Sequence, residues 1–196
     1  GQNRALPHGA PAALTDTTKG AIVYLSDLTA RNFRIFGDGD AGLKVKFGPG
    51  ATALVGPNDS GKSAVLDAIR YALLTRDQSF PRVEPEDFHT DASGNQAREI
   101  SICCTFTDLS DDEKGEFAEY LTYADSTVVL HVNWAARRIE ERPGLRRWVD
   151  VSVRSGVSGG GAAFESSVRE LLQATYLRPL RDAEREMSSG KGSRLS

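Results

Sequence analysis

The chain has 196 residues, with 24 basic against 27 acidic side chains and a formal charge of -3. That length suffices for one sizeable domain or two small ones, and the near balance of charge excludes both a polybasic nucleic-acid coat and an acidic solvating tail. No apolar run approaches a membrane span, and Gly1 to Gly20 lacks the apolar core of a secretion signal, so a cytoplasmic protein with no membrane partner is expected.

Residues 1–20 mix Pro7, Pro11, Ala and Gly without periodicity and read as a poorly ordered lead-in, with His8 a solvated side chain. Residues 21–196 are expected to form the folded part. Ile22 to Phe36 is rich in β-branched and aromatic residues, and the turn-rich Gly37 to Gly42 leads to a second strand over Leu43 to Phe47. Gly48-Pro49-Gly50 then breaks the chain before Ala51 to Val55, which reads as a buried strand.

Gly56, Gly61, Lys62 and Ser63 fill the pattern G-x-x-x-x-G-K-Ser/Thr, followed by Val65, Leu66, Ile69, Ala72 and Leu73 at helical spacing up to about Thr75. This is a P-loop. A loop of this length turns the backbone N–H groups of Asn58, Asp59, Ser60 and Gly61 around a phosphate, and the helix adds its unpaired N-terminal amides and the positive end of its dipole. Lys62 is the expected bridge between the β- and γ-phosphates of ATP, and the Ser63 hydroxyl the expected ligand of Mg²⁺.

Arg76 to Gln96 holds Pro81, Pro85 and many charges, the pattern of a long connection with one short helical turn. Ile100 to Phe106 reads as a strand carrying the adjacent Cys103 and Cys104, whose neighbouring positions suit buried thiols better than a disulfide or a metal site. Ser110-Asp111-Asp112-Glu113 is a capping box, opening a helix expected to run towards Tyr123. Thr127 to Ala136 and Arg147 to Val153 read as strands of a hairpin around Pro143-Gly144. Its arginines, Arg137, Arg138, Arg142, Arg146, Arg147 and Arg154, suit a phosphate backbone, but a solvated face balanced by Glu140, Glu141 and Asp150 carries more weight.

Ser158-Gly159-Gly160-Gly161 precedes a helix expected over Phe164 to Ala174 and superficially matches the signature that ABC-type ATPases present to a partner's nucleotide. That reading is rejected, because the next run, Ala174 to Leu180, ends in Arg-Pro-Leu-Arg and not in the Asp-Glu that a true signature leads to. Ile100 to Asp108 fails the same test, so no catalytic carboxylate is assigned.

Two strands before the P-loop and an antiparallel middle disfavour a Rossmann-like kinase or GTPase. The expected class is α/β: a P-loop NTPase of the ABC-type ATPase head, N-terminal lobe, with a mixed and antiparallel sheet. Leu28 to Phe36 (Leu-Thr-Ala-Arg-Asn-Phe-Arg-Ile-Phe), followed by Val55 to Ser63, resembles the opening of the RecF, SMC and OLD (overcoming lysogenization defect) ATPases. Tyr176 to Glu186 (Tyr-Leu-Arg-Pro-Leu-Arg-Asp-Ala-Glu-Arg-Glu) resembles the OLD-family ATP-dependent endonucleases more specifically. The resemblance implies an ATPase that dimerises with nucleotide at the interface, joined to a C-terminal Toprim domain that cuts DNA with divalent metal. It implies further that Arg34 reaches the nucleotide phosphates and that the Asp87-Phe88-His89-Thr90 stretch, His89 included, lies near the nucleotide. The acidic Walker B strand, the signature, the switch histidine and the Toprim cluster have no counterpart, so the N-terminal part of such an enzyme is expected. The alternatives are a RecF/SMC-like DNA-repair ATPase head, a nucleotide-dependent regulatory module that cuts nothing, and, more weakly, a small-molecule kinase with Arg76 to Gln96 as its lid.

Overall fold

A computed structural model of the chain describes residues 24–48, 50–73, 75, 82–124, 127–139 and 148–173. The lead-in, Pro143-Gly144 with Arg142, Arg146 and Arg147, and the Tyr176 to Glu186 stretch lie outside these residues.

Alternation of apolar and polar side chains builds the central sheet. Strand β3 (Glu99–Thr107) turns Ile100, Ile102, Cys104 and Phe106 to one face, all buried, while Ser101, Cys103 and Thr105 take the other. Strand β5 (Thr127–Arg138) matches it with Leu130, Val132, Trp134 and Ala136, and the antiparallel register sets Ile102 opposite Trp134 and Cys104 opposite Val132. On the other edge of β3 lies β1 (Tyr24–Arg31), which places Leu28 opposite Cys104 and Ala30 opposite Ile102. β2 (Leu43–Lys46) closes that side in the hairpin expected from the sequence. The far edge of β5 is shared: β4 (Leu121–Ala124) pairs with its first residues and β6 (Val149–Arg154) with its last. The resulting order is β2-β1-β3-β5-β4, with β6 also on β5, and the pairings between these strands are antiparallel.

Helix α1 (Lys62–Ala72) lies on the apolar face of this sheet through Ala64, Val65, Ala68, Tyr71 and Ala72. The Tyr71 ring meets Trp134 of β5 at 5.0 Å and the edge of Phe33 at 5.7 Å. Each fully buried large apolar side chain on this face contributes about 1.5–3 kcal/mol.

Several expected elements differ, and β1 itself stops at Arg31 where the expected strand ran to Phe36. Ala51 to Val55 is not a strand: no ladder bond reaches it and Val55 is 93% exposed. The helix opened at Ser110 is short, α2 (Asp111–Glu116), because Gly115 weakens its last turn and Leu121–Ala124 finds a better partner in β5. Its capping box forms as expected, with Glu113 N donating to Ser110 Oγ and Ser110 N to the Glu113 carboxylate. The last described helix, α3 (Ser166–Leu171), is likewise shorter than expected. The Ser158 to Gly161 turn before it packs against β5 and β6: Asn133 Nδ2 donates to the carbonyls of Arg154 and Gly156, and Gly161 N donates to the Ser155 carbonyl. Among the described residues no helix is long and apolar enough to cross a membrane. Cys103 is half-buried and Cys104 buried, both unpaired thiols, with burial pushing each thiol's pKa up.

Candidate phosphate-binding site

The site begins at Gly61, which caps α1 in the left-handed conformation (φ 86°) and offers no side chain to the helix amides. An uncapped first turn without acidic residues leaves inward-facing N–H groups and the positive end of the dipole for an anion. The glycine is also required by space, because a Cβ there would stand 2.5 Å from Ile35 Cδ1 and 2.8 Å from Phe36 Cζ. At Gly56 a Cβ would stand 2.8 Å from Ser60 Oγ, a hydroxyl that can turn away. Lys62 Nζ donates to the carbonyls of Gly56 at 2.8 Å and Pro57 at 2.5 Å, with Ser60 Oγ at 3.5 Å, so the ammonium sits inside the loop it belongs to.

An open cavity of about 610 Å³ lies over this helix end. Asn58, Asp59, Gly61, Lys62, Ser63 and Ala64 of the loop and helix line it together with Arg34 and Ile35. Of the residues expected at the nucleotide, the cavity therefore gathers Arg34, Asn58, Asp59, Gly61, Lys62 and Ser63. Ser60 stands behind the loop against Lys62 and Gly56. His89 does not line the cavity either; its Nδ1 donates to the Arg34 carbonyl at 2.7 Å, which fixes Nδ1 as the protonated nitrogen since a carbonyl only accepts.

Arg34 sits in a tight turn between β1 and β2 and has a left-handed backbone, φ 52°, as does Asn32 at 55°. The turn is closed by reciprocal bonds of 2.9 Å between Phe33 and Phe36, and braced from outside by the 3₁₀ turn Pro85–Asp87, where Arg34 N donates to the Asp87 carbonyl at 2.8 Å. The guanidinium is gripped on two sides: Nε donates to Asp87 Oδ1 at 2.9 Å and Nη1 to Asp67 Oδ2 at 2.5 Å. Burial lowers the Arg34 pKa, but the hydrogen bonds and charges of Asp87 and Asp67 outweigh it and the net shift is upward. Asp87 itself accepts from the Tyr71 hydroxyl at 2.7 Å and from Glu84 N at 2.9 Å. Burial first, and then the bond to Asp87, raise the Tyr71 pKa, so the phenol remains a donor.

Asp67 and Tyr71 escaped the sequence reading. They stand four apart on one face of α1, and a tyrosine on an apolar helical stripe calls for a hydroxyl partner, which was the available signal.

Residues 27–143, more than half of the chain, match the AAA domain family. The chain belongs to that family. Together with the loop and helix just described, the match establishes an α/β P-loop NTPase fold. The chromosome partition protein Smc of Mycobacterium tuberculosis is 45% identical over 51 residues, which are 26% of this AAA-domain chain and 4% of that protein. The Smc protein of Synechocystis is 35% identical over 95 residues, 47% of this chain and 8% of that protein. The chain thus spans only a small part of the length of these relatives. Among solved structures, an SmcHead bound to the C-winged helix domain of ScpA superposes with a TM-score of 0.48 at 21% identity, over 76% of this chain and 40% of that one. A second, from work on ATP-driven dimerization and DNA stimulated activation of SMC ATPases, gives 0.46 at 20% identity over 76% of this chain and 77% of that one.

Proposed function

We propose that this chain binds ATP with Mg²⁺ as the N-terminal portion of an ATPase head that works in pairs in a DNA-handling enzyme of the cytoplasm. The observation that carries the reading is one cavity lined by the P-loop lysine, Ser63, the open N-terminus of α1 and an arginine. These groups fit a polyphosphate, because the uncapped N-terminus of α1 and the two cations Lys62 and Arg34 line one open cavity. To engage a phosphate, Lys62 exchanges its bonds to the Gly56 and Pro57 carbonyls for stronger charge-assisted ones to phosphate oxygens. Ser63 would hold Mg²⁺ through its hydroxyl, and the ion would neutralise charge on the β- and γ-oxygens. Hydrolysis needs in addition a water-orienting carboxylate and donors from a second head, and neither role is assigned to a residue of this chain.

Within this reading, the likeness of Tyr176 to Glu186 supports an OLD-family ATP-dependent endonuclease, its nuclease lying outside the motifs seen here. The identity to Smc over 51 residues favours, as second reading, a RecF/SMC-like head that moves or repairs DNA without cutting it. Calorimetric titration with Mg-ATP tests the common part. Lys62→Ala should weaken binding by at least about tenfold, the worth of a charge-assisted contact. Equal affinity of the two proteins removes the P-loop assignment. Ser63→Ala should lower affinity with Mg²⁺ more than without it, and an equal factor in both series removes the metal role.

A further inference from the structure

We propose that Asp87 and Asp67 are positioning residues that preset the Arg34 guanidinium for the nucleotide phosphates, with Tyr71 holding Asp87 in turn. The inference rests on the phosphate-binding reading above and names residues that neither the motif nor the family match assigns.

Arg34 is fixed at every level. Its amide donates to the Asp87 carbonyl, its carbonyl accepts from His89, and its Nε donates to the Asp87 carboxylate, so one short segment grips both backbone and side chain. Asp67 takes Nη1 from the helix that carries the P-loop, tying the arginine to the same rigid body as Lys62 and Ser63. The two carboxylates use Nε and Nη1, and among the described residues Nη2 makes no hydrogen bond. A donor therefore remains on a guanidinium that already lines the cavity, with its plane steadied 5.0 Å from the Phe33 ring.

The carboxylates are themselves held. The Asp87 side chain is 6% exposed and receives the Tyr71 hydroxyl and the Glu84 amide besides Arg34. Asp67 is shared with Arg70 at 3.1 Å. A long arginine side chain held this way loses little rotamer freedom when phosphate arrives, so the arrangement raises affinity through order instead of through a contact of its own.

The test is a double-mutant cycle on the 196-residue chain, read by titration with Mg-ATP alongside thermal melting. Asp87→Asn keeps shape and removes charge; it should weaken binding about 3- to 10-fold, the cost of reordering one long side chain. In an Arg34→Ala background the same substitution should change affinity less than about twofold, because nothing remains to position. Asp67→Asn, at a less buried site, should behave alike and carries the cycle if Asp87→Asn does not fold. Tyr71→Phe should give a smaller loss that also vanishes without Arg34. A loss of equal size with and without Arg34 would mean a purely structural role and overturns the proposal, as does tighter binding in either Asp variant, which would mean that the carboxylates compete with phosphate. If Lys62→Ala binds as well as the parent, the phosphate reading and this proposal fall together; if only the carboxylate variants are silent, this proposal alone falls.

Discussion

Two runs of similar composition meet opposite fates in this chain. Ile100 to Phe106 and Ala51 to Val55 are both short, apolar and bounded by turn residues, yet the first is the centre of a sheet and the second is no strand at all. β3 has β1 on one edge and β5 on the other, and α1 covers its apolar face, so its amides and its isoleucines are satisfied together. The 51–55 run has no ladder partner among the described residues; only Leu54 is partly buried against the core, and Val55 stands exposed. An apolar run becomes a strand only where neighbours supply both hydrogen bonds and a face. The P-loop draws its order from its C-terminal end: Gly61 is locked between Ile35 and Phe36, and α1 is anchored in the core.

That contrast is broken most directly by matched truncations. Ile102→Ala, at a fully buried position, should cost about 2–5 kcal/mol in urea unfolding, whereas Val55→Ala should stay within about 0.5 kcal/mol. A large loss from Val55→Ala would mean that the run is packed in solution. Next in size is Gly61→Ala, which combines a left-handed φ with a collision against Ile35 and Phe36. It should lower stability by about 1–3 kcal/mol and reduce Mg-ATP affinity at least about tenfold, because relief of the clash moves either the Arg34 turn or the start of α1. Retained affinity would show that the loop is not held from the side of Phe36.

How far the sequence was legible is set by the same physics. Strands β1, β2, β3, β5 and β6 announced themselves as strand-like runs bounded by turn residues, α1 by its spacing, and the Ser110 capping box by its four residues, because each signal lies within a short stretch of sequence. β4 was read as the end of a helix, since its claim to be a strand rests on pairing with β5 and not on its own residues. Within the site, the P-loop was visible through glycine spacing. The brace around Arg34 was only partly so: Asp87 and His89 were expected near the nucleotide, but their actual work, holding the arginine's side chain and carbonyl, depends on a tertiary contact across more than fifty positions. Asp67 and Tyr71 were missed because their partners, Arg34 and Asp87, lie 33 and 16 positions away and are met only in the folded chain.

A smaller effect probes the sheet half. Ser110→Ala removes the hydroxyl that accepts from Glu113 N and donates to the Glu113 carboxylate at 2.8 Å, leaving a buried acid with one donor fewer. The expected cost is about 1 kcal/mol in unfolding free energy, with Mg-ATP affinity unchanged. A change in affinity would show that α2 and the P-loop are coupled through the sheet.

The smallest expected effect is one of pH, and it belongs to the sheet alone. His131 lies opposite Thr105 on the face of β5 away from α1, its Nδ1 3.2 Å from Thr105 Oγ1, and burial holds its pKa below the ordinary value of 6.5. The unfolded chain therefore binds the proton more readily than the folded one, and stability rises with pH wherever that difference exists. The contribution is intact above the unfolded value and is lost as pH falls from about 6.5 through the lower folded value. Urea midpoints measured from pH 7.5 down to 5 should fall slightly for the parent, and less steeply for His131→Gln, which keeps a polar partner for Thr105 without the titration. Parallel profiles would mean that the imidazole is solvated in both states, and a profile that steepens on substitution would reverse the sign argued here.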